Sequence, residues 1–414
     1  MAPTNSSRKS KLYAAFLRLV PLVVIWHVLM FYGLPPLALF AIFLLAAVAC
    51  HFSKRENAWL LAGTLVVVTL ALELGLKFTG LGTSMFYRPT EMLRVADDEF
   101  GHTYQPNVHM TMHSPFSDLQ ATGNIGIVEP REIEFVTDSL GFRNRNDYAG
   151  QALFVVGDSI AMGEGATQAC LITEILKTKH GLDIYNLAHS GNQPPDYLNH
   201  AQSFIKINGG RPKAIIMFFE GNDFARFQPV TYRKNPLRPY VYFFQNSNVY
   251  RFTRWLYVRA FKPDHFGKPL VKTLRNLPIA FEPGYAANVT REQPIADEEM
   301  RFSQFFDRLN GQIAHVFFVP EEYRVYEPLL DGASGKPLPN RNWEYLEKLT
   351  RERGIPATNL YDALDHAARE ALQRGEYVFW RGDTHWNCLG MSVAAQAMSD
   401  ALRDGKGDLP RVPK

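Results

Sequence analysis

Apolar residues are spread unevenly along the chain. From Leu12 to Phe52 they form an almost unbroken run, interrupted at Gly33-Leu34-Pro35-Pro36. A second run covers Ala58 to Phe78 with one acid, Glu73. A bilayer core requires ~20 apolar residues per helix, and Gly-Leu-Pro-Pro is a turn signal. The pattern therefore predicts three membrane spans, near residues 12–32, 35–52 and 58–78. Arg8, Lys9 and Lys11 precede the first span, and Lys54 and Arg55 lie between the second and third. Basic loops stay on the cytoplasmic side, so three spans deliver everything after residue 80 to the outer face of the cytoplasmic membrane. The run is too long for a cleaved signal peptide, and no small-residue cleavage site follows it.

Beyond residue 80 the pattern becomes that of a folded domain. Residues 83–150 are turn-rich with short alternating strands such as Glu132 to Val136, and read as a β-rich lead-in. From residue 151 to 414 short apolar strands (Leu153–Val156, Asp183–Leu187, Ala214–Phe219, Ala314–Val319) alternate with helices expected at Gln168–His180, Tyr197–Ile207, Trp343–Arg353 and Met391–Leu402. Buried strands alternating with helices predict an α/β fold, a parallel sheet covered on both faces. Ligand sites of such sheets lie at the carboxyl ends of the strands. Residues 226–300 interrupt the alternation. Arg226 to Lys262 holds eight basic and eleven aromatic residues and no acid. A basic lid packed on the main domain, a membrane-facing surface and a sugar-binding surface all fit that composition.

Bulk properties add little. Hydrophobic content is 46%, charged content 21%, and the formal net charge only +3, so no nucleic-acid partner is implied. The 3 cysteines define no disulfide framework. Cys50 lies in an apolar run. Cys170 and Cys388 are the only pair outside the membrane, and two buried thiols are the expectation over a disulfide.

Four short segments carry the candidate chemistry: Gly157-Asp158-Ser159, Asn186 to Gly191, Gly221-Asn222-Asp223 and Asp383-Thr384-His385. Ser159 follows a buried strand, so its hydroxyl is expected at a strand end. Ester cleavage needs such a nucleophile, a base beside it and donors aimed at the developing oxyanion.

Leu153-Phe-Val-Val-Gly-Asp-Ser159 with Gly163 and Gly165 resembles the first block of the SGNH (GDSL-type) hydrolase superfamily. Asn186-Leu-Ala-His-Ser-Gly191, Glu220-Gly-Asn-Asp223 and Asp383-Thr-His385 resemble its second, third and fifth blocks, in the family's order. The resemblance implies an SGNH/flavodoxin-like three-layer sandwich preceded by the transmembrane helices. It implies Ser159 as nucleophile, His385 as base and Asp383 as its acid partner. The implied oxyanion hole comprises the Ser159 and Gly191 backbone N–H groups and the Asn222 side chain, while Asp158 and Asp223 are expected to be structural. No cofactor and no metal is expected. Two departures stand out. Glu220 occupies a position where the family usually has glycine, and a carboxylate there either bonds neighbouring loops or reaches into the cleft. Asp383 and His385 are one residue apart, and Asp-x-His-Trp locally resembles alginate O-acetyltransferase-like members, in which that pair precedes the serine block.

The expected function is a membrane-tethered esterase acting through an acyl-serine on small O-acyl esters, acetyl above all, of envelope or exported glycans. An O-acyltransferase passing the acyl group to a polysaccharide hydroxyl shares every catalytic residue. A non-catalytic glycan- or lipid-binding scaffold within an envelope complex is the alternative from another class. His102, His109 and His113 are read as solvated loop histidines rather than metal ligands, His189 as a cleft-wall residue, and Arg143 as structural.

Overall fold

The computed structural model describes residues 71–72, 74–76, 78, 90, 93–114, 117–119, 125–224, 252, 268–292 and 301–404. Among these no helix is long and apolar enough to cross a membrane. The expected spans at 12–32 and 35–52, most of the one at 58–78, and the basic–aromatic stretch apart from Phe252 lie outside the described residues. The chain divides into two compact units. One comprises residues 1–80 and 237–250, where Leu72, Leu74 and Phe78 are exposed on a helical stretch. The other comprises residues 81–236 and 251–414 and holds every sheet described below.

That unit begins with two antiparallel hairpins. β1 (Arg94–Asp97) pairs with β2 (Gly101–Tyr104), and β3 (His109–Ser114) with β4 (Arg131–Val136). In β4 the side chains alternate, so Arg131, Ile133 and Phe135 share the buried face. An arginine in phase with the apolar residues must find a buried partner.

The main sheet follows. β5 (Leu153–Val156) leads into a single helical turn, α1 (Ser159–Met162), and then into α2 (Ile172–His180). β6 (Ile184–Asn186), α3 (Pro194–Ile207) and β7 (Lys213–Phe219) come next. An antiparallel hairpin, β8 (Leu270–Leu274) with β9 (Leu277–Phe281), precedes α4 (Pro283–Val289) and α5 (Phe302–Arg308). β10 (Ile313–Val319), α6 (Glu322–Tyr326), α7 (Arg341–Glu352), β11 (Ala357–Asn359), α8 (Tyr361–Gln373) and α9 (Cys388–Asp404) complete it.

Five strands form one parallel sheet in the order β11-β10-β7-β5-β6. Counted within the sheet this is the 2-1-3-4-5 order of doubly wound folds, with its switch point between β5 and β7. Strand side chains alternate between faces, and the two cores divide accordingly. Leu153, Val155, Ile215, Met217, Phe317 and Val319 pack with α2, α8 and α9. Phe154, Val156, Ile216, Phe218, Val316 and Phe318 pack with α3, α5 and α7. The result is the expected α/β arrangement of a parallel sheet between two helical layers.

Two local expectations change. The helix read as Gln168–His180 breaks at Leu171, where the backbone is extended. A 3₁₀ turn covers Gln168–Cys170 and α2 starts at Ile172. Cys170 and Cys388 are not two buried thiols: they form a disulfide, with Cα atoms 5.1 Å apart, and neither residue is fully buried. The break before α2 sets Cys170 beside the start of α9.

Candidate active site

Ser159 stands directly beyond the end of β5. The Asp158 side chain accepts from the Ile160 N–H at 2.9 Å and so caps α1, which turns the chain sharply and leaves Ser159 as its first residue. His385 arrives from the segment before α9, steadied by the fully buried Trp386 and by a β-bridge between Phe379 and Trp386. The Ser159 hydroxyl lies 2.7 Å from His385 Nε2, and Asp383 Oδ1 lies 2.5 Å from His385 Nδ1. Serine O–H donates to Nε2 and Nδ1–H donates to the carboxylate, the order a general base requires. All three residues are buried to within a few per cent.

The environment of Asp383 is richer than the sequence suggested. Its second oxygen lies 3.0 Å from Arg131 Nη1, in an ion pair at most 5% exposed on either side. Arg131 also lies over the Trp380 ring, 4.1 Å from its centre. Gly165, in the left-handed region at φ +73°, makes room for it: a Cβ there would come within 2.5 Å of Arg131 Nη1. A further carboxylate, Asp118, lies 3.6 Å from His385 Nδ1, and the adjacent Leu119 N–H donates to the Gly382 carbonyl. Asp118, Asp383 and His385 bring three ligand-type atoms within 4.8 Å of one another. A cation held there would have to share Asp383 with the Arg131 guanidinium.

Asn222 follows β7, across the switch point from Ser159. Its amide donates to Asp158 Oδ2 at 3.2 Å, linking the third segment to the first and leaving a second amide N–H. Asp223 is structural: it accepts from the Phe219 N–H at 2.8 Å and from the Tyr197 hydroxyl at 3.0 Å. Burial, reinforced by the nearby Asp158, pushes its carboxyl well above the usual carboxylate range. Glu220 bonds neighbouring loops and does not reach into a cleft. Fully buried, it meets Arg324 through both oxygens at 2.5 and 2.7 Å, and also accepts from Asn342 Nδ2 and the Glu321 N–H.

Gly191 lies in the turn beyond β6, exposed, at φ +76°. Arg94 of β1 lies against it, since a Cβ on Gly191 would come within 2.9 Å of Arg94 Nη2. The same guanidinium nitrogen donates to the Ser190 carbonyl. His189 does not line a cleft wall. It is fully buried, stacked on Tyr104 with ring centres 4.1 Å apart and edge-on to His102. Burial, with His102 and Arg94 adding to it, holds His189 well below the ordinary imidazole range.

Other lead-in residues are also reassigned. His102 is buried on β2 and meets Asn192 Oδ1 at 2.7 Å, so it is neither solvated nor in a loop. His109 and His113 are exposed but belong to β3, where their rings meet the carboxylates of Glu134 and Glu132 on β4. Arg143 is buried and donates to the Gly163 and Ala166 carbonyls, both at 2.6 Å, fixing the glycine-rich loop after Ser159. Desolvation lowers its guanidinium to about 10.

Arg131, Asp118 and Arg94 were missed by the sequence reading. For Arg131 a signal existed, its place on the apolar phase of β4. Asp118 and Arg94 sit in short stretches whose polar and apolar residues show no period to mark them.

Residues 282–412 match the family model of the SGNH hydrolase-like domain of the acetyltransferase AlgX. The matched stretch holds Asp383 and His385, while Ser159, Gly191 and Asn222 precede it. No curated protein matches the chain. The resemblance is to the SGNH superfamily with an AlgX-like character, and it supports an acetyl-related, ester-acting enzyme.

Proposed function

We propose that the chain is a serine-dependent acyl-transfer enzyme that takes a small acyl group, acetyl above all, from an O-acyl ester through an acyl-serine intermediate. The observation that carries this reading is the hydrogen-bonded chain Ser159–His385–Asp383 at 2.7 and 2.5 Å, at the switch point of a parallel sheet. His385 Nε2 takes the hydroxyl proton as Ser159 Oγ bonds to the ester carbonyl carbon. Asp383 holds the ring in the Nδ1–H tautomer and stabilises the imidazolium. The carbonyl oxygen becomes an oxyanion facing the Ser159 and Gly191 N–H groups and the Asn222 amide. Collapse expels the alcohol, which receives the proton from His385 and leaves the acyl group on Ser159. In the second half an acceptor hydroxyl gives its proton to His385 and bonds to the acyl carbon; the bond from that carbon to Ser159 Oγ breaks, His385 returns the proton to Ser159, and the acyl group leaves on the acceptor.

Water as acceptor makes the chain an esterase, and a sugar hydroxyl makes it an O-acetyltransferase. The match to an acetyltransferase domain favours the second. We place the reaction outside the cytoplasm, on envelope or exported glycans, at a domain tethered by the apolar N-terminal segments. Two things support that placement: the basic residues flanking those segments, and the Cys170–Cys388 disulfide, a bond at home in an oxidising compartment.

The test uses the full chain in detergent. Turnover of p-nitrophenyl acetate and labelling by an organofluorophosphonate are both expected, and both should vanish in Ser159→Ala. A folded wild-type protein that takes no label would refute the reading. Adding an oligosaccharide and weighing the products separates transfer from hydrolysis.

A further inference from the structure

We infer that Arg94 is a positioning residue for the oxyanion hole, acting through the Ser190–Gly191 peptide. The inference rests on the reading above, in which the Gly191 N–H is one of the donors. A trans peptide is planar, so the Ser190 carbonyl and the Gly191 N–H lie in one plane and point in opposite directions. Whatever grips the carbonyl aims the N–H.

Two donors grip it. The Arg94 Nη2 group donates to the Ser190 oxygen. His189 Nδ1 lies 2.9 Å from the same oxygen, and His189 Nε2, fully buried, has no hydrogen-bond partner among the described residues. An imidazole kept neutral by burial carries one proton, and a carbonyl facing Nδ1 places that proton there. On the other side of the residue, the Ser190 N–H donates to the Tyr104 hydroxyl at 3.3 Å. Arg94 and Tyr104 face each other across the β1–β2 hairpin as register partners. The hairpin, outside the parallel sheet, thus holds Ser190 by both its amide and its carbonyl. Among the described residues no protein acceptor takes the Gly191 N–H, which leaves it for a substrate oxygen.

The second effect is electronic. A cation bonded to a carbonyl draws charge from its peptide and strengthens the N–H at the other end, as bonded chains polarise one another. Arg94 therefore both orients and strengthens the donor. The exposed, side-chain-free Gly191 lets the guanidinium lie beside it.

The experiment compares Arg94→Ala, Arg94→Lys and wild type in the full chain, on p-nitrophenyl acetate and on a boronic acid that forms a tetrahedral adduct with Ser159. Losing a whole oxyanion donor costs ~10²–10³ in rate, so misaiming one should cost roughly tenfold or more. In Arg94→Ala kcat should fall by that factor while KM stays within about twofold, because the interaction is made only in the transition state. Boronate affinity should fall by the same factor as kcat. Millimolar guanidinium should restore part of the activity, and Arg94→Lys should lie between the other two.

Should Arg94→Ala fail to melt cooperatively, Arg94→Lys carries the test. A rise in KM with kcat unchanged, or boronate affinity equal to wild type, overturns the proposal. If wild type itself shows no Ser159-dependent turnover, the functional reading has failed and not this inference.

Discussion

Arg131 and Asp383 form a buried ion pair at 3.0 Å, immediately behind the bond from Asp383 to His385. The carboxylate is thus shared between an imidazole and a guanidinium. Arg131 withdraws some of the negative charge that Asp383 offers to a protonated His385, and Asp118 at 3.6 Å returns it. Two carboxylates and one guanidinium thus surround the face of His385 that points away from Ser159.

This division of labour predicts different outcomes for the three residues. Arg131→Met leaves a buried carboxylate without its cation, and breaking such a pair costs about 3–5 kcal/mol. The expected result is a large drop in denaturation midpoint together with reduced kcat. Asp118→Asn should keep the fold and lower kcat by about tenfold, less than the ~10²–10⁴ that proton transfer itself contributes, because Asp118 does not touch the moving proton. Unchanged kcat in Asp118→Asn would show that Asp383 alone serves His385.

Asn222→Ala removes an oxyanion donor and also the 3.2 Å link to Asp158. Turnover should fall by ~10²–10³, with residual activity above that of Ser159→Ala. Steady-state kinetics on the two variants decides it, and equal rates would remove Asn222 from the oxyanion hole.

The bond between Cys170 and Cys388 closes a loop of 218 residues. By chain entropy a loop of that length contributes about 5 kcal/mol. Cys170→Ser, or wild type in reductant, should therefore show a markedly lower urea midpoint. Because the cysteines anchor the segments that follow Ser159 and His385, activity should decline at denaturant concentrations that the oxidised protein tolerates. Superimposable denaturation curves with and without reductant would contradict this.

Glu321 gives stability a pH dependence. Burial, opposed by its bond from the Tyr323 N–H and aided by Glu220 and Glu282, raises its carboxyl from 4.5 to about 8. The adjacent Glu322 is also fully buried and raised well above the ordinary range, by burial first and by Glu321 and Asp383 next. A raised acid binds its proton more tightly in the folded state. Its stabilisation is complete below pH 4.5 and is lost as pH climbs through 8. Thermal melting temperature should fall from pH 5 to pH 8, and Glu321→Gln should flatten that slope. A melting temperature that rises over this interval in both proteins would run against the assignment.

The Glu220–Arg324 pair, both residues no more than 1% exposed, separates structural from catalytic acid. Arg324→Met should destabilise by about 3–5 kcal/mol, and adding Glu220→Gln should recover part of that loss. In whatever protein remains folded, kcat should match wild type. A kcat deficit in the folded double variant would mean that Glu220 acts in the site after all.

Much of this architecture was legible in the sequence because apolar runs and the motif segments are local signals. Leu153–Val156, Lys213–Phe219 and Ile313–Val319 are strands too apolar to be anything but central. β11 escaped notice because Ala357–Asn359 is short and only half-buried, with no apolar run to mark it. α8 does carry a local signal, the buried stripe of Leu364, Ala368, Ala371 and Leu372, diluted by the charged residues between them. The site was legible wherever its residues belong to contiguous segments. Arg94, Asp118 and Arg131 reach it from the lead-in hairpins, and long-range charge pairing leaves no spacing to read. The disulfide is invisible in the sequence for the same reason: nothing local shows that the break at Leu171 brings Cys170 to the start of α9.

The disulfide has one more consequence, for the polypeptide as a covalent object. Cys170 and Cys388 make the chain a ring with two tails. Ser159 lies on one tail and His385 just inside the ring. A single protease nick within the ring, such as one at the arginines between 226 and 259, would give two polypeptides, one bearing the nucleophile and the other the base. The bridge would keep them one molecule, so a clipped enzyme would run as full length on a gel until a thiol was added.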